Sequence, residues 1–257
     1  MKRLVFIGSG NVAQGLAPAI DALEGYTVSQ VLSRNIDHAK ALADRLSAAQ
    51  AISSYAEIDP NADFILIAAN DDAIDSIAQS IPQSFKGITM HTSGSIPLDV
   101  LKSRREDSAV FYPFQTFTAG RAVNLSAVPF FIEAASDRAK TEAMALARKL
   151  SPTVYEADSD ARRVLHIAGV FTNNFTNHLL HITETLLAEK NIPFSVMQPL
   201  AEETVRKAFT LSPKAAQTGP ARRGDTDVIA KHLEMLSGTN AQIYKLLTES
   251  IIRKLED

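Results

Sequence analysis

Residues 2–13 read KRLVFIGSGNVA, and this stretch sets the expected fold class. The apolar run Leu4–Ile7 is typical of a strand that is buried on both faces of a parallel sheet. It leads directly into G-x-G-x-x-A, where Gly8 permits a tight turn, Gly10 lets a pyrophosphate approach the backbone, and Ala13 allows close packing of the next helix. A strand before this motif and a helix after it are the required context. The stretch therefore predicts the first βαβ unit of a dinucleotide-binding fold.

The turn and the start of the following helix supply the predicted pyrophosphate contacts. The first N–H groups of a helix have no partner within the helix, so they attract an anion. The predicted cofactor-binding residues of this turn are Gly8, Ser9, Gly10, Asn11 and Val12. The alternative is a tight strand–helix turn that binds no ligand.

The end of the second strand, Thr27–Leu32, indicates which nicotinamide cofactor binds. Enzymes that use NAD commonly place an acid there for the ribose 2′-hydroxyl, whereas this chain has Ser33, Arg34 and Asn35. A guanidinium binds a 2′-phosphate that an acid would repel. We therefore predict NADP(H) as the cofactor, bound by these three residues; in the alternative, Arg34 is a solvated loop residue.

A second cofactor contact is predicted after the strand 63–69, DFILIAA. Ligands of open α/β sheets bind beyond the carboxyl ends of the strands. Asn70 and Asp71 follow this strand directly and are predicted to contact the cofactor ribose. The alternative is that they only cap the next helix.

Strands alternate with helical patterns up to about residue 152, and only helices follow. We expect an α/β protein with an N-terminal Rossmann domain, a doubly wound and mostly parallel sheet, in residues 1–152. Residues 153–257 are expected to form an all-α substrate and dimerisation domain. Its predicted helices cover about 158–189, 194–210, 213–217, 225–236 and 239–255.

Composition excludes several classes of protein. The chain of 257 residues is 46% hydrophobic and 21% charged, which is typical of a globular protein, and its net charge of −3 argues against a nucleic-acid partner. It has no cysteine, so disulfides and thiolate nucleophiles are excluded. No apolar run is long enough for a signal peptide or a membrane span. We expect a cytoplasmic protein that acts on a small-molecule substrate.

The stretch 164–183, VLHIAGVFTNNFTNHLLHIT, carries neutral polar groups where a solvated helix usually has charges. On a helical wheel of about 100° per residue, His166, Asn173 and Asn177 form a stripe with Asn174 at its edge. The opposite, apolar face is predicted to be core or dimer interface; it comprises Val164, Ala168, Phe171, Phe175, Leu179, Ile182 and Leu186.

Two interpretations of the polar stripe remain open. It is either a face exposed to water or hydrogen-bonded across a dimer, or the wall of a substrate cleft. In the second interpretation His166 donates a proton, Asn174 and Asn177 orient the reacting group, and Asn173 contacts the substrate. His178 and His181 are three residues apart, but their helix angles differ from that of His166, so no metal site is predicted.

Residues 91–95, HTSGS, end another strand at the same edge of the sheet. His91 and Thr92 are predicted to contact the substrate, and Ser93 is a predicted catalytic residue. The alternative is a simple turn before a helix that starts at Pro97. In FYPFQTF (111–117), Tyr112 and Gln115 are further candidate cleft residues.

Residues 218–225, TGPARRGD, are predicted to form a loop between helices. In this loop Gly224 permits a sharp turn and Asp225 is expected to cap the helix at Thr226. Arg222 and Arg223 are candidates to bind a carboxylate or phosphate, with Arg223 as the predicted substrate contact. The alternative is a basic pair on the surface.

These motifs together resemble a known family. The GSGNVA turn, the SRN after the second strand and the helical C-terminal part are similar to oxidoreductases of the pyrroline-5-carboxylate reductase and F420-dependent NADP reductase type. HTSGSIPLDVL (91–101), FYPFQTF, the 164–183 helix and TGPARRGD resemble more specifically the Rossmann-like proteins with a DUF2520 helical domain. The resemblance implies an NADP-linked, two-domain reductase fold that is often dimeric through its helices, and it implies no substrate.

The chain also departs from related enzymes. Related hydroxyacid dehydrogenases carry a lysine in a KxxNN pattern, whereas Val170 precedes Phe171-Thr172-Asn173-Asn174 here. Pyrroline-5-carboxylate reductases begin this helix with small residues, whereas this chain has Leu165–Gly169. We predict an NADP(H)-dependent oxidoreductase that acts on a small, acidic carbonyl or imine compound. The alternatives are a non-catalytic NADP(H)-binding sensor or regulator, and a scaffold that binds no nucleotide.

Overall fold

The computed structural model describes residues 1–256 and contains one eight-stranded sheet. Its strands are β1 (Lys2–Ile7), β2 (Tyr26–Leu32), β3 (Gln50–Ile52), β4 (Phe64–Ile67), β5 (Ile88–His91), β6 (Ser108–Pro113), β7 (Phe130–Ala134) and β8 (Val154–Glu156). The first helices are α1 (Asn11–Asp21), α2 (Ile36–Ala43), α3 (Asp71–Ser80), α4 (Asp99–Lys102), α5 (Asp137–Leu150) and α6 (Ser159–Gly169). The predicted alternation of strands and helices is confirmed.

The strand order is β3-β2-β1-β4-β5-β6-β7-β8. All neighbouring strands are parallel except β6 and β7, which are antiparallel. Successive strands are added toward one side of the sheet from β1 to β3 and toward the other side from β4 onward. The strand order therefore reverses between β1 and β4. The carboxyl ends of those two strands therefore flank the crevice where doubly wound folds bind nucleotides. The predicted Rossmann architecture is confirmed.

Side chains alternate between the two faces of the sheet, so each strand supplies both hydrophobic layers. One face packs against α1, α2 and α5 through residues that include Leu4, Phe6, Leu66, Met90 and Phe111. The other face packs against α3 and α4 through residues that include Val5, Ile7, Ile65 and Ile67. His91, Tyr112 and Glu133 follow Met90, Phe111 and Ile132, and alternation puts them on this second face.

The chain divides into two compact units, Met1–Asn173 and the part from Asn174 onward. The sheet ends with β8, but α6 belongs to the first unit because its Arg162 is bound to Glu133 of β7. The compact unit thus continues beyond residue 152, where the sequence pattern changes from mixed to helical.

The second unit is helical. Its helices are α7 (Thr176–Ala188), α8 (Gln198–Leu211), α9 (Pro213–Ala216), α10 (Pro220–Arg223), α11 (Thr226–Met235) and α12 (Gly238–Glu256). Within residues 1–256 there is no helix whose length and apolar character would let it cross a membrane.

The predicted long helix over 158–189 is wrong in one respect. Residues Val170–Phe175 form a π-helical segment between α6 and α7. A π-turn contains more residues than an α-turn, so a wheel of constant angle does not hold across this segment. The wheel therefore does not place His166 and Asn177 on one face.

The apolar face that was predicted for this stretch is exposed in the single chain. Val164, Phe171 and Phe175 are each about half exposed or more, and Leu179 is 40% exposed. This face is therefore not part of the hydrophobic core. The core alternative for this face is therefore wrong, and the interface alternative stays a prediction.

Candidate active site

The glycine turn is held by backbone hydrogen bonds to both neighbouring strands. Gly8 N donates to Leu32 O at 2.8 Å, and Ala68 N donates to Ile7 O at 2.8 Å. Gly8 has a φ of +111°, and a Cβ placed there would lie 2.2 Å from Ala68 O. Only glycine fits both the left-handed backbone and this close approach.

Gly10 has a different role from Gly8. It occupies the N-cap position of α1 with an extended backbone, and a Cβ placed there would meet nothing within 4 Å. The space beside it is thus open for a ligand. The first N–H groups of α1 adjoin this space, so the turn fits a pyrophosphate.

The residues after β2 surround the adjacent end of the cleft. Ser33 Oγ accepts from Ser9 Oγ at 3.2 Å, which links the strand end to the glycine turn. Arg34 is exposed and forms no ion pair within residues 1–256. Asn35 instead caps α2, because its Oδ1 accepts from Asp37 N at 2.9 Å. Of the three predicted contacts, Ser33 and Arg34 line the cleft, and the Asn35 side chain is engaged by its own helix.

Three residues at this end were missed by sequence reasoning. A cleft of about 310 Å³ is lined by Gly8, Gly10, Arg34 and Asn70, and also by His38 and Tyr55. A second cleft of about 300 Å³ shares Ser9 and His38 with the first and is also lined by Arg45. Burial raises the pKa of Tyr55, and the nearby Arg34 acts in the opposite direction. His38 lies in the first turn of α2, four residues after Arg34, and this closeness in sequence is the signal that could have found it.

Asn70 and Asp71 lie at the carboxyl end of β4, as predicted. Asn70 occupies the N-cap position of α3, but its side chain makes no capping hydrogen bond. The capping alternative therefore does not account for Asn70, whose side chain lines the cleft. Asp71 is an acidic residue in the first turn of α3, and its carboxylate accepts a hydrogen bond from Ser95 Oγ.

The HTSGS segment forms a compact turn at the same edge. Ser93 Oγ accepts from Ser95 N and from Ile96 N, both at 3.1 Å. His91 is fully buried, and its Nδ1 accepts from Ser93 N at 3.2 Å. The imidazole therefore supports the turn from inside the protein and is not open to a ligand. Thr92 is also buried, and its hydroxyl lies 3.4 Å from Ile67 O.

Arg162 of α6 is fully buried over β5–β7, which the sequence did not predict. Its Nη2 lies 3.0 Å from Glu133 Oε2 and donates to Ile96 O at 2.9 Å. Ser159 completes the group by donating to the same carboxylate at 2.8 Å. Two nitrogens of the Arg162 guanidinium, Nε and Nη1, are buried without a hydrogen-bond partner in residues 1–256. A positive charge therefore lies beneath the HTSGS turn.

Burial of His91 makes stability depend on pH. Burial, with a smaller contribution from Arg162, lowers the pKa of His91 to about 3, while Asp71 and the carbonyl of Pro97 act in the opposite direction. Between pH ~6.5 and ~3 the unfolded chain binds a proton at His91 that the folded protein does not bind. The free energy of unfolding therefore falls as pH falls through this window.

Urea unfolding of wild type and His91→Gln across this window tests the effect. The wild type is expected to lose at least ~1.4 kcal/mol more than the variant, which corresponds to one pKa unit. Parallel pH profiles for the two proteins would contradict the assignment.

The predicted residues of the 164–183 stretch divide between the two units. His166 and Asn173 lie in the first unit and are exposed, whereas Asn174 and Asn177 lie in the second and are also exposed. The π-helical segment contains both Asn173 and Asn174. π-Bulges occur frequently at functional sites.

The TGPARRGD segment corrects one prediction. Asp225 precedes α11 but its side chain makes no capping hydrogen bond. Its carboxylate is instead bound by Arg223 through Nε at 2.8 Å and Nη2 at 2.7 Å. Both arginines are exposed, and Arg223 is already paired with a carboxylate of its own loop. Gly224 has a φ of +71°, which fits the predicted sharp turn, but the predicted loop contains the short helix α10.

The strand order, the glycine turn and the anion-binding helix start define a Rossmann-fold protein of the NAD(P)-binding class. Family comparisons agree. Residues 128–251 match the family Domain of unknown function (DUF2520), and residues 3–90 match the family NADP oxidoreductase, coenzyme F420-dependent. The chain belongs to the proteins that combine an NADP oxidoreductase (coenzyme F420-dependent) domain with a DUF2520 domain, and the predicted family resemblance is confirmed.

Solved structures give the same result. A Bacteroides fragilis protein designated an NADP oxidoreductase is 41% identical, with 98% of each chain covered and a TM-score of 0.91. An imine reductase from Myxococcus stipitatus in complex with NADP+ is 14% identical over 98% of this chain and 92% of that one, with a TM-score of 0.66. A reductive aminase from Aspergillus terreus in complex with NADPH and ethyl levulinate is 15% identical over 99% and 94%, with a TM-score of 0.72. The last two show a shared fold. No curated protein matches the chain significantly.

Proposed function

We propose that this protein is an NADP(H)-dependent oxidoreductase that transfers a hydride to or from a small, acidic carbonyl or imine compound. The observation that carries the cofactor proposal is the open space beside Gly10, continuous along the cleft with Ser33 and Arg34. Arg34 supplies the cation for a 2′-phosphate, and the strand end carries no acid to repel it. The Bacteroides fragilis relative, designated an NADP oxidoreductase, supports the same cofactor.

Thermal unfolding with NADPH, NADP+, NADH and NAD+ tests the cofactor proposal. A nucleotide that binds only the folded state raises the melting temperature by mass action. We expect NADPH and NADP+ to raise it more than NADH and NAD+ at equal concentration. If none of the four raises it at millimolar concentration, the proposed function is wrong.

Arg34→Ala is expected to weaken NADPH binding about tenfold or more and to leave NADH binding unchanged. The reason is the loss of a charge-assisted hydrogen bond to the 2′-phosphate, worth roughly 1.5 kcal/mol or more. Fluorescence titration of the reduced nucleotides measures both affinities. The matched control is Lys40→Ala, which removes an exposed cation of the neighbouring helix α2. Equal losses for NADPH and NADH would contradict a 2′-phosphate contact.

The nicotinamide supplies the hydride chemistry, and the protein binds and orients the reacting groups. For these roles the sequence predicts His166 as the proton donor and Asn174, Asn177 and Ser93 as orienting groups, and it predicts that Thr92, Asn173 and Arg223 contact the substrate. A screen of NADPH oxidation with 2-keto acids, cyclic imines and aldehydes tests turnover. Turnover that is unchanged in both His166→Ala and Asn174→Ala would remove these residues from the assignment.

A non-catalytic NADP(H)-binding sensor is the second candidate, favoured by Val170 at the position of the KxxNN lysine. It predicts nucleotide binding without turnover of any compound in the screen. NADPH oxidation well above the rate without protein would exclude it.

We also propose that the protein is a homodimer through its C-terminal helices. In the second unit, Phe209 is 85% exposed, Met235 79% and Leu246 66%. Monomeric proteins seldom expose large contiguous apolar patches, so a second copy of the chain is the proposed cover. Light scattering at micromolar concentration is expected to give the dimer mass; a monomer mass would contradict the proposal.

A further inference from the structure

Tyr112 lies in the half of the sheet that is expected to bind the nicotinamide part of the cofactor. Doubly wound folds of this strand order bind a dinucleotide across two mononucleotide-binding halves. β1–β3 carry the glycine turn and Arg34, so β4–β6 form the nicotinamide half. β6 is parallel to β5, and Tyr112 lies near its carboxyl end, beside the HTSGS turn.

The Tyr112 ring is positioned by the absence of a side chain at Gly94. A Cβ placed on Gly94 would lie 2.6 Å from Tyr112 Cζ and 2.7 Å from Tyr112 Oη. The φ of Gly94 is not in the left-handed region, so its backbone conformation does not by itself require glycine. The reason for glycine at this position is therefore the phenol ring, which packs directly over the turn.

The Tyr112 hydroxyl has no assigned role in the fold. The ring is held by an edge contact with Phe114, with centroids 5.9 Å apart. No hydrogen bond to Tyr112 Oη occurs among the described residues, and this oxygen is not one of the enclosed unpartnered atoms. A hydroxyl on a fixed ring that reaches solvent is available to a bound molecule.

Nearby charges suit Tyr112 to donate a proton. Burial raises the pKa of Tyr112, Arg162 opposes this effect, and Asp71 adds to it. The net direction is upward, so the hydroxyl is protonated at neutral pH. Arg162 carries two buried, unpartnered nitrogens, and its charge stabilises a phenolate once the proton has left.

We propose that Tyr112 Oη, in place of His166, donates the proton that completes reduction of the substrate, with Gly94 as the positioning residue that leaves room for the ring. This inference rests on the proposed function. When the C=O or C=N carbon accepts the hydride of the reduced cofactor, the π electron pair becomes a lone pair on oxygen or nitrogen. That atom takes the proton from Tyr112, and the Tyr112 phenolate regains a proton from water.

Three variants and a control test the role in turnover of a compound found in the NADPH-oxidation screen. Tyr112→Phe is expected to lower kcat roughly 100-fold with little change in KM, as for loss of a general acid. Gly94→Ala is expected to lower kcat about tenfold or more by displacing the ring. The double variant should lose no more than Tyr112→Phe, because both changes act on one hydroxyl. Tyr155→Phe removes an exposed phenol hydroxyl and should leave kcat unchanged.

Two kinetic results would overturn the inference. One is a kcat for Tyr112→Phe within about twofold of wild type, since a general acid contributes roughly 100-fold or more. The other is a double variant whose loss equals the product of the single losses, because independent sites add in free energy.

A measurement that needs no turnover separates this inference from the proposed function. Protein labelled with ¹³C at tyrosine Cζ is titrated with NADP+ and with adenosine 2′,5′-bisphosphate, and Tyr112→Phe assigns the signal. The Tyr112 signal is expected to shift with NADP+ and not with the adenosine compound, which lacks the nicotinamide. If both compounds bind and neither shifts it, the inference is wrong and the proposed function stands. If neither binds, both are wrong.

Discussion

Gly8→Ala is expected to abolish nucleotide binding and to lower the free energy of unfolding by about 3 kcal/mol or more. The backbone of Gly8 has a φ of +111°, a region that is nearly restricted to glycine and costs other residues roughly 1–3 kcal/mol. The added Cβ would also lie 2.2 Å from Ala68 O and 2.8 Å from Ala68 C. These are backbone atoms next to β4, so they cannot move aside as a flexible side chain does, and overpacking adds about 1–3 kcal/mol.

Gly10→Ala is the matched control for this prediction. It lies two residues away in the same turn, but its backbone is extended and its Cβ would point into open space. Its free energy of unfolding should change by less than about 1 kcal/mol, since it only replaces glycine at an N-cap. Its nucleotide affinity should still fall, because the methyl group occupies the space beside the pyrophosphate site. Urea unfolding and NADPH titration measure the two effects; equal stability losses for both variants would contradict the assigned roles.

Arg162→Met is expected to lower the free energy of unfolding by roughly 3–5 kcal/mol, because it removes one partner of a buried ion pair. Glu133, only 19% exposed, would lose its cation, and Ile96 O would lose its donor. Methionine fills much of the same space, so the loss of charge rather than of volume dominates. Arg163→Ala is the control on the same helix, since its pair with Asp160 is well exposed and worth less than about 1 kcal/mol.

A double variant, Arg162→Met with Glu133→Leu, separates the ion pair from its surroundings. Replacing both charges by apolar groups removes the uncompensated carboxylate, so much of the lost stability should return. Chemical unfolding of the two single variants and the double variant gives the coupling energy between the residues. A double variant that is as unstable as the sum of both single variants would show that the pair is not coupled.

The elements of the sheet were predictable because their signals are local. The apolar run Leu4–Ile7 and the two glycines of the turn each depend on neighbouring residues only. The run forms the end of β1, and the strand predicted over Thr27–Leu32 is Tyr26–Leu32. The strand predicted over 63–69 is Phe64–Ile67.

The candidate site was predictable only in part. Ser33 and Arg34 line the cleft at the end of β2, where the sequence predicts cofactor contacts, but Asn35 hydrogen-bonds within its own helix. His91 carries the chemistry of a ligand contact, yet it is buried by packing that its neighbours in sequence do not reveal. The π-helical segment was missed because an apolar periodicity resembles an α-helix on either side of it.

The amino-acid pattern was thus sufficient for the fold class and the glycine turn, since each follows from backbone conformation and short-range periodicity. The roles of Arg162, Gly94 and Tyr112 required the packed structure. Arg162 looks like one of two surface arginines until Glu133 approaches from a strand far away in sequence. Gly94 looks like a turn residue until the Tyr112 ring fills the space above it. Contacts between distant residues decide burial and charge, and no local pattern encodes them.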